Sequence, residues 1–374
     1  MAVRRRSPLL GLGALVAIGV ALFLLRSGRG KNATASQEGG TPSPTAVAPG
    51  TTAATPARSG SGAPASGTQA PASPGATKKT EVVAELHWGS GPSELGRNRP
   101  QEGNPEAPMS MTVDILGNTV VLDQTNGRLL RLDPEGKPVG SFQVTQQAPQ
   151  DITMAKDGSL LVLDRLRDKT VAILNPDTGA PRGELRVEGK GIPEGGLVTG
   201  TFVDGDSVYV EREHGALVRI GDTSGNADPD RPEIPGRPTR DGRTYVLASI
   251  TDPKSGRVLL NTVDRPSGQH RFTREYRLEF PVMSITLLDS DLSGTIYLGV
   301  AGELPSLSAS TSAQLGVRVF CIDSLEGKVL GQTDLPINSM PEETFRDFAV
   351  LDEGGILYRH LTENGVTLMR ARCH

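Results

Sequence analysis

The chain has 374 residues, a formal charge of −4, and only 4% aromatic residues. Its 45 Gly and 28 Pro exclude a long helical bundle or coiled coil and fit short strands joined by many turns. Nine of the 39 Lys/Arg but one of the 43 Asp/Glu fall in residues 1–80, which leaves 30 bases against 42 acids, a net of −12, in the rest. So acidic a domain repels phosphate backbones, and nucleic acid is excluded as a partner.

Leu9 to Leu25 is an unbroken apolar run of 17 residues, preceded by Arg4, Arg5 and Arg6 and followed by Arg26. At ~1.5 Å per residue it spans ~26 Å, enough for a bilayer core. Ala33-Thr34-Ala35 has the small-x-small form of a cleavage site, but Arg26, Arg29 and Lys31 intervene, and no cysteine follows the run for lipid attachment. The expected organisation is a cytoplasmic basic tail over 1–8 and a retained transmembrane signal anchor over 9–25, with secretion after cleavage as the alternative. Residues 26–80 read as a disordered linker. Its stretch 32–77 is nearly all Ala, Pro, Ser, Thr and Gly, too poor in apolar area to offset chain entropy. A coil of that length spans roughly 40 Å.

From Glu81 onward short apolar runs alternate with Gly- and Asp-rich turns. Asp133-Pro-Glu-Gly136-Lys-Pro-Val-Gly140, Asn175-Pro-Asp-Thr-Gly179-Ala-Pro-Arg-Gly183 and Asp323-Ser-Leu-Glu-Gly327-Lys-Val-Leu-Gly331 share a Gly-x-x-x-Gly step across a turn. Val121-Leu-Asp123, Val162-Leu-Asp164, Tyr209-Val-Glu211 and Thr262-Val-Asp264 each end an apolar strand with an acid and lead into a turn. Hairpin signals stand at Gly117-Asn118, Asp157-Gly158, Asp204-Gly205, Ser255-Gly256, Ser293-Gly294 and Gly354-Gly355. Each unit reads as four strands, and six units of about 49 residues fit between Glu81 and His374. The expected fold is all-β, a six-bladed β-propeller over 81–374. The last unit shows three strands, and Val82–Trp88 is an extra one, so the first strand should complete the last blade and close the ring. The fourth unit is the least legible, because its third and fourth strands do not separate within Arg271–Phe280.

Gly89-Ser-Gly-Pro, Ala148-Pro-Gln-Asp-Ile152, Asp157-Gly158-Ser-Leu-Leu-Val-Leu-Asp164 and the Gly136/Gly140 turn resemble NHL-type propeller repeats, over about residues 89–187 and faintly beyond. The usual Asn-x-Arg-Ile element is absent, although Asn126-Gly127-Arg128-Leu129 comes near it. The resemblance implies a propeller used for interaction or scaffolding more often than for catalysis, a minority of similar propellers being hydrolases, lactonases or lyases.

The strand-end acids Asp123, Asp164, Glu211 and Asp264 are expected to accept backbone N–H bonds from the following turn rather than form a ring of charge. Arg165, Arg212 and Arg265 have no such local duty; they either line a binding rim or are solvated. Glu211-Arg212-Glu213-His214 is the densest polar cluster. Read as a strand, it puts Glu211 and Glu213 on one face and Arg212 and His214 on the other. The long loops Gly89–Pro108, Glu188–Val198, Gly302–Leu315 and Asp334–Glu343 open on one face of a propeller, which nominates Arg97, Arg99 and Glu194 as contacts there. The five His and two Cys form none of the usual zinc-ligand spacings, and Asp289-Ser-Asp291-Leu-Ser-Gly294 departs from a calcium loop. No metal, cofactor or catalytic residue is assigned. Cys321 and Cys373 look like members of third strands in neighbouring blades, about 10 Å apart, which disfavours a disulfide. The sequence thus describes an inner-membrane protein of a bacterium holding a periplasmic propeller. Its partners would be the cytoplasmic membrane through residues 9–25 and an unidentified envelope protein on the long-loop face.

Overall fold

The computed structural model describes residues 80–305 and 314–373. The expected tail, anchor and nearly all of the linker lie outside the described residues. Among those described, no helix is long and apolar enough to cross a membrane.

The described residues form six four-stranded antiparallel sheets. β1 (Glu81–His87) stands apart from the chain order. Blade one is β2 (Ser110–Val113), β3 (Thr119–Asp123), β4 (Arg128–Leu132) and β5 (Pro138–Gln143). Blade two is β6 (Asp151–Met154), β7 (Leu160–Asp164), β8 (Thr170–Leu174) and β9 (Pro181–Arg186). Blade three is β10 (Val198–Asp204), β11 (Ser207–Arg212), β12 (Ala216–Asp222) and β13 (Glu233–Ile234). Blade four is β14 (Arg237–Pro238), β15 (Thr244–Asp252), β16 (Arg257–Asp264) and β17 (His270–Arg277). Blade five is β18 (Val282–Ser290), β19 (Ile296–Leu304), β20 (Gln314–Ile322) and β21 (Val329–Pro336). Blade six is β22 (Phe348–Val350), β23 (Ile356–Thr362) and β24 (Gly365–Ala371), with β1 as its outer strand.

The chain is therefore a six-bladed propeller, closed as the sequence implies: β1 pairs antiparallel with β24 from Glu81↔Arg370 to His87↔Gly365. β1 thus seals the ring as the outer strand of blade six.

The second and third strands explain why so many short apolar runs are unalternated. Both faces of each sheet are covered by neighbouring blades, so β3, β7 and β8 are buried at every position. Five apolar clusters fill the seams one–two, two–three, four–five, five–six and six–one. The turns between third and fourth strands are where blades come closest. At Gly136, with φ of 82°, an added Cβ would lie 2.6 Å from the Ala84 Cβ on β1. Only glycine fits both that left-handed turn and that approach.

Two expectations are corrected here. Blade four is shifted by one strand: its inner strand is the two-residue β14, too short to show alternation, so Asp264 ends the third strand rather than the second. Residues 271–280 then hold one strand, β17, and no missing one. The second correction is the disulfide. Cys321 lies on β20, but Cys373 lies beyond the end of β24, where the chain has left the sheet and crossed to blade five. There the Cα atoms are 6.1 Å apart and the two cysteines are bonded. The spacing of ~10 Å between packed sheets applies to residues inside them and not to a crossing tail.

Candidate functional site

The inner strands β2, β6, β10, β14, β18 and β22 surround an axial channel. Charged side chains pair across it, the carboxylates of Asp151 and Glu211 being buried. Arg346 sits just before β22, and its Nε and Nη2 donate to both oxygens of the fully buried Asp151 at the start of β6, at 3.0 and 2.7 Å. Asp151 also accepts from Ser110 Oγ (2.7 Å) and the Thr201 amide (2.9 Å), and Arg346 donates to the Thr201 carbonyl. One carboxylate thus joins blades one, two, three and six. Arg237 on β14 forks onto Glu211 (3.0 and 2.7 Å) and reaches the Leu288 carbonyl, joining blades three, four and five. Arg240 donates to Asp289, to Asp352 and to the Val350 carbonyl, joining blades four, five and six. Phe202 on β10 carries a guanidinium at 4.5 Å (Arg237) and another at 5.1 Å (Arg346) from its ring centre. Such contacts strengthen when partly desolvated.

These pairs set the electrostatics. Burial alone would push the Glu211 carboxyl up, yet the Arg237 charge, the nearby His214 ring and hydrogen bonds from Arg237 and Thr199 bring it down to about 2. Burial likewise opposes the charged form of Arg346, but Asp151 close by, with Asp289 and Glu211 further off, raises its pKa above the usual arginine value. Glu211 so held is a fixed anion and not a proton shuttle near neutral pH.

Above this plug, on the face of the first-to-second-strand turns, the channel widens into a cavity of about 460 Å³. Its wall includes Met111, Met154, Phe202 and Phe348, and its rim includes Ile115, Leu116, Leu292, Asp352 and Glu353.

Most residues nominated from the sequence turn out to brace the long-loop face. Arg97 bonds Glu363 and lies 5.0 Å from the Trp88 ring centre. Arg99 bonds Glu342 and Glu363, which raise its guanidinium. These contacts hold the loop after β1 against blade six. Arg165 donates to the Val198 carbonyl and packs on Phe345, and burial lowers its pKa. Arg212 donates to the Gly191 carbonyl and to Glu233. Arg265 pairs with Asp204 and covers Tyr245, across the seam between blades three and four. Glu194, Glu213 and His214 are exposed.

The 211–214 cluster does not follow strand alternation. β11 ends at Arg212, and Glu213 and His214 take left-handed conformations with φ of 51° and 56°. That reversal brings His214 Nδ1 to 3.7 Å from Glu211 Oε2, on the same side and not the opposite one. The strand-end acids divide too. Asp164 accepts the amides of Leu166 and Arg167, as expected. Asp264 accepts the Ser267 amide, although from a third strand. Asp123 instead accepts the distant Gly96 amide and Arg128, and Glu211 turns toward the axis.

Sequence reasoning missed Asp151, Phe202, Arg237, Arg240 and Arg346. Each lies in or beside an inner strand of two to seven residues, where pairing across the axis leaves no local spacing to read. The one available signal was Asp151, an acid opening an apolar strand. Among the described residues no group of three or more His, Cys, Asp or Glu is placed to hold a metal ion.

No protein-family model matches the chain, and no curated protein matches it in sequence. Among solved structures it is similar to hydrazine synthase of Kuenenia stuttgartiensis, at 17% identity and a TM-score of 0.43 over 70% of this chain and 76% of that one. It is similar to a streptogramin B lyase at 9% identity and 0.38, over 75% and 97%. It is similar to BamB of Moraxella catarrhalis at 11% and 0.35, over 79% and 99%. These likenesses are distant, and the blade count rests on the hydrogen-bonded strand order alone.

Proposed function

We propose that the chain is a membrane-anchored periplasmic propeller, NHL-like in its repeats, that acts as a non-catalytic protein-interaction or scaffold module of an envelope complex. The observation that carries this reading is the state of the channel. A hydrolase, lactonase or lyase using an axial carboxylate needs one poised to exchange protons. Here Asp151 and Glu211 are each gripped by a guanidinium, and the Arg237 charge holds the Glu211 carboxyl well below the usual carboxylate range. The arrangement stiffens a ring and offers its faces. The Cys321–Cys373 bond supports an oxidising compartment, consistent with a domain held outside the cytoplasm by residues 9–25.

The test uses the full chain purified from detergent-solubilised membranes, with its thiols blocked before lysis. The expected result is a membrane-borne chain with both cysteines protected from alkylation, co-purifying with a stoichiometric partner protein. A chain recovered from the cytosolic fraction with two free thiols, or one that runs alone and turns over an ester or lactone, defeats the reading.

A further inference from the structure

Five of the six blades share one first-to-second-strand turn. The fourth residue is glycine, and its amide donates to the carbonyl of the first: Gly117 to Asp114, Gly158 to Ala155, Gly242 to Thr239, Gly294 to Asp291 and Gly354 to Leu351. The two tip residues between them stand at that face, except in blade four, where Arg240 turns into the channel pairs and the Asp241 side chain is buried. In blades two, four and six the tips are charged, Lys156-Asp157, Arg240-Asp241 and Asp352-Glu353. In blade one the tip is Ile115-Leu116, and in blade five it begins with Leu292.

The turn itself does not ask for these apolar residues. In both blades the leading aspartate does the capping: Asp114 accepts the Leu116 and Asn118 amides, and Asp291 accepts those of Ser293 and Thr295. Yet Leu116 is 73% exposed, Ile115 66% and Leu292 49%. Side chains that large, gathered at one cavity mouth and serving no fold, mark a contact surface.

Blade six lies between them. Its acidic tip carries the exposed Glu353, and the Leu292 amide donates to the Asp352 carbonyl (3.2 Å), so the tips of blades five and six are tied into one fixed edge. The domain as a whole carries the net −12 derived from its sequence. Below, the arginines of the channel are already neutralised, so they do not repel a cation at the mouth.

From this the geometry points to a docking surface over the channel mouth, formed by the tips of blades five, six and one. Its occupant is an extended segment of a partner protein carrying an apolar anchor flanked by Lys or Arg. The anchor seats between Leu116 and Leu292 over the cavity, and the flanking cation meets Glu353. The inference rests on the interaction-module reading and specifies its partner.

Random twelve-residue peptides are selected against the full chain in detergent micelles. The enriched peptides should pair an apolar residue with Lys or Arg. The combined L116E and L292E substitutions should weaken them about tenfold or more, as loss of a central anchor does, and E353K should weaken them several-fold. Glu184→Lys, exposed on the outer strand β9, should leave binding unchanged. All three target side chains are exposed, and an unchanged unfolding midpoint shows that the variants fold. Peptides without cations, binding indifferent to the leucine variants, or no enrichment overturn the surface.

A photo-crosslinker at position 116 and another at Leu166, on the long-loop face, separate the two levels of the argument. Partner crosslinks at 116 carrying a basic apolar segment support it. Partner crosslinks at 166 alone overturn the surface while leaving the interaction module standing. Crosslinks from 116 to residues 26–79 of the same chain, or to a second copy, overturn the partner assignment.

Discussion

The seam between blades five and six and the seam between blades three and four are held by different physics. At the first, Leu287, Tyr297, Val319, Tyr358 and Met369 pack into an apolar cluster, the Tyr297 hydroxyl accepts the Gly355 amide, and Cys321–Cys373 ties the chain end across. At the second, no apolar cluster spans the two blades among the described residues. β13 and β14 have two residues each, and the side chains that meet are Arg237 with Glu211, and Arg265 with Asp204 under Tyr245. Where flanking strands shrink, apolar area is lost and ion pairs take over. Truncating one side chain in an apolar cluster costs its buried area and a cavity, whereas removing one partner of a buried pair also leaves an uncompensated charge.

The sharpest way to break that contrast is Glu211→Ala. It strands Arg237 among partly buried surroundings, and the expected loss is about 3–5 kcal/mol in urea unfolding, with the fastest new amide exchange in β14 and β15. A loss no larger than that of a surface substitution would mean that the third seam is not held by charge. The same carboxylate gives a pH dependence of defined sign. Its pKa falls from the usual value near 4.5 to about 2 on folding. Its contribution is therefore complete above about pH 4.5 and drains away as pH falls toward 2. Comparing unfolding midpoints at several acid pH values should show this drain in the native chain. The Glu211→Gln chain should lack it.

Next in size is the disulfide. Its removal in Cys321→Ser/Cys373→Ser closes no loop across 52 residues of the unfolded chain, and about 2–4 kcal/mol should be lost. The apolar cluster remains, so the seam should stay shut. Exchange protection of β20 and β23 should drop by the global amount and no more. Selective opening of that seam would show that the bond, and not the packing, holds it.

What the sequence displayed and what it hid follow the same division. Short buried strands such as Val120–Leu122 and Leu160–Leu163, and the glycine turns between them, are local patterns; blade count and the β1 clasp could be read from them. The fourth blade slipped by one strand because Arg237–Pro238 is too brief to alternate. The channel stayed hidden because Asp151 and Arg346 are 195 residues apart and meet only when the ring closes. Arg97 and Arg165, named from the sequence as candidate rim residues, also fasten neighbouring parts of the ring. A guanidinium spans neighbouring blades easily, and nothing in local spacing distinguishes that use from a free one.

The smallest expected effect completes the contrast between what folds the ring and what the ring presents. Leu116→Glu puts a charge on a tip whose backbone is capped by Asp114 and whose side chain is 73% exposed. Its stability change should stay within about 0.5 kcal/mol, as for surface sites away from core features. Leu122→Ala, six residues along on the fully buried β3, should lose about 2–5 kcal/mol in the same urea titration. If Leu116→Glu approached that value, Leu116 would be packing against the fold after all, and its exposure could no longer be taken as the mark of a surface kept for another molecule.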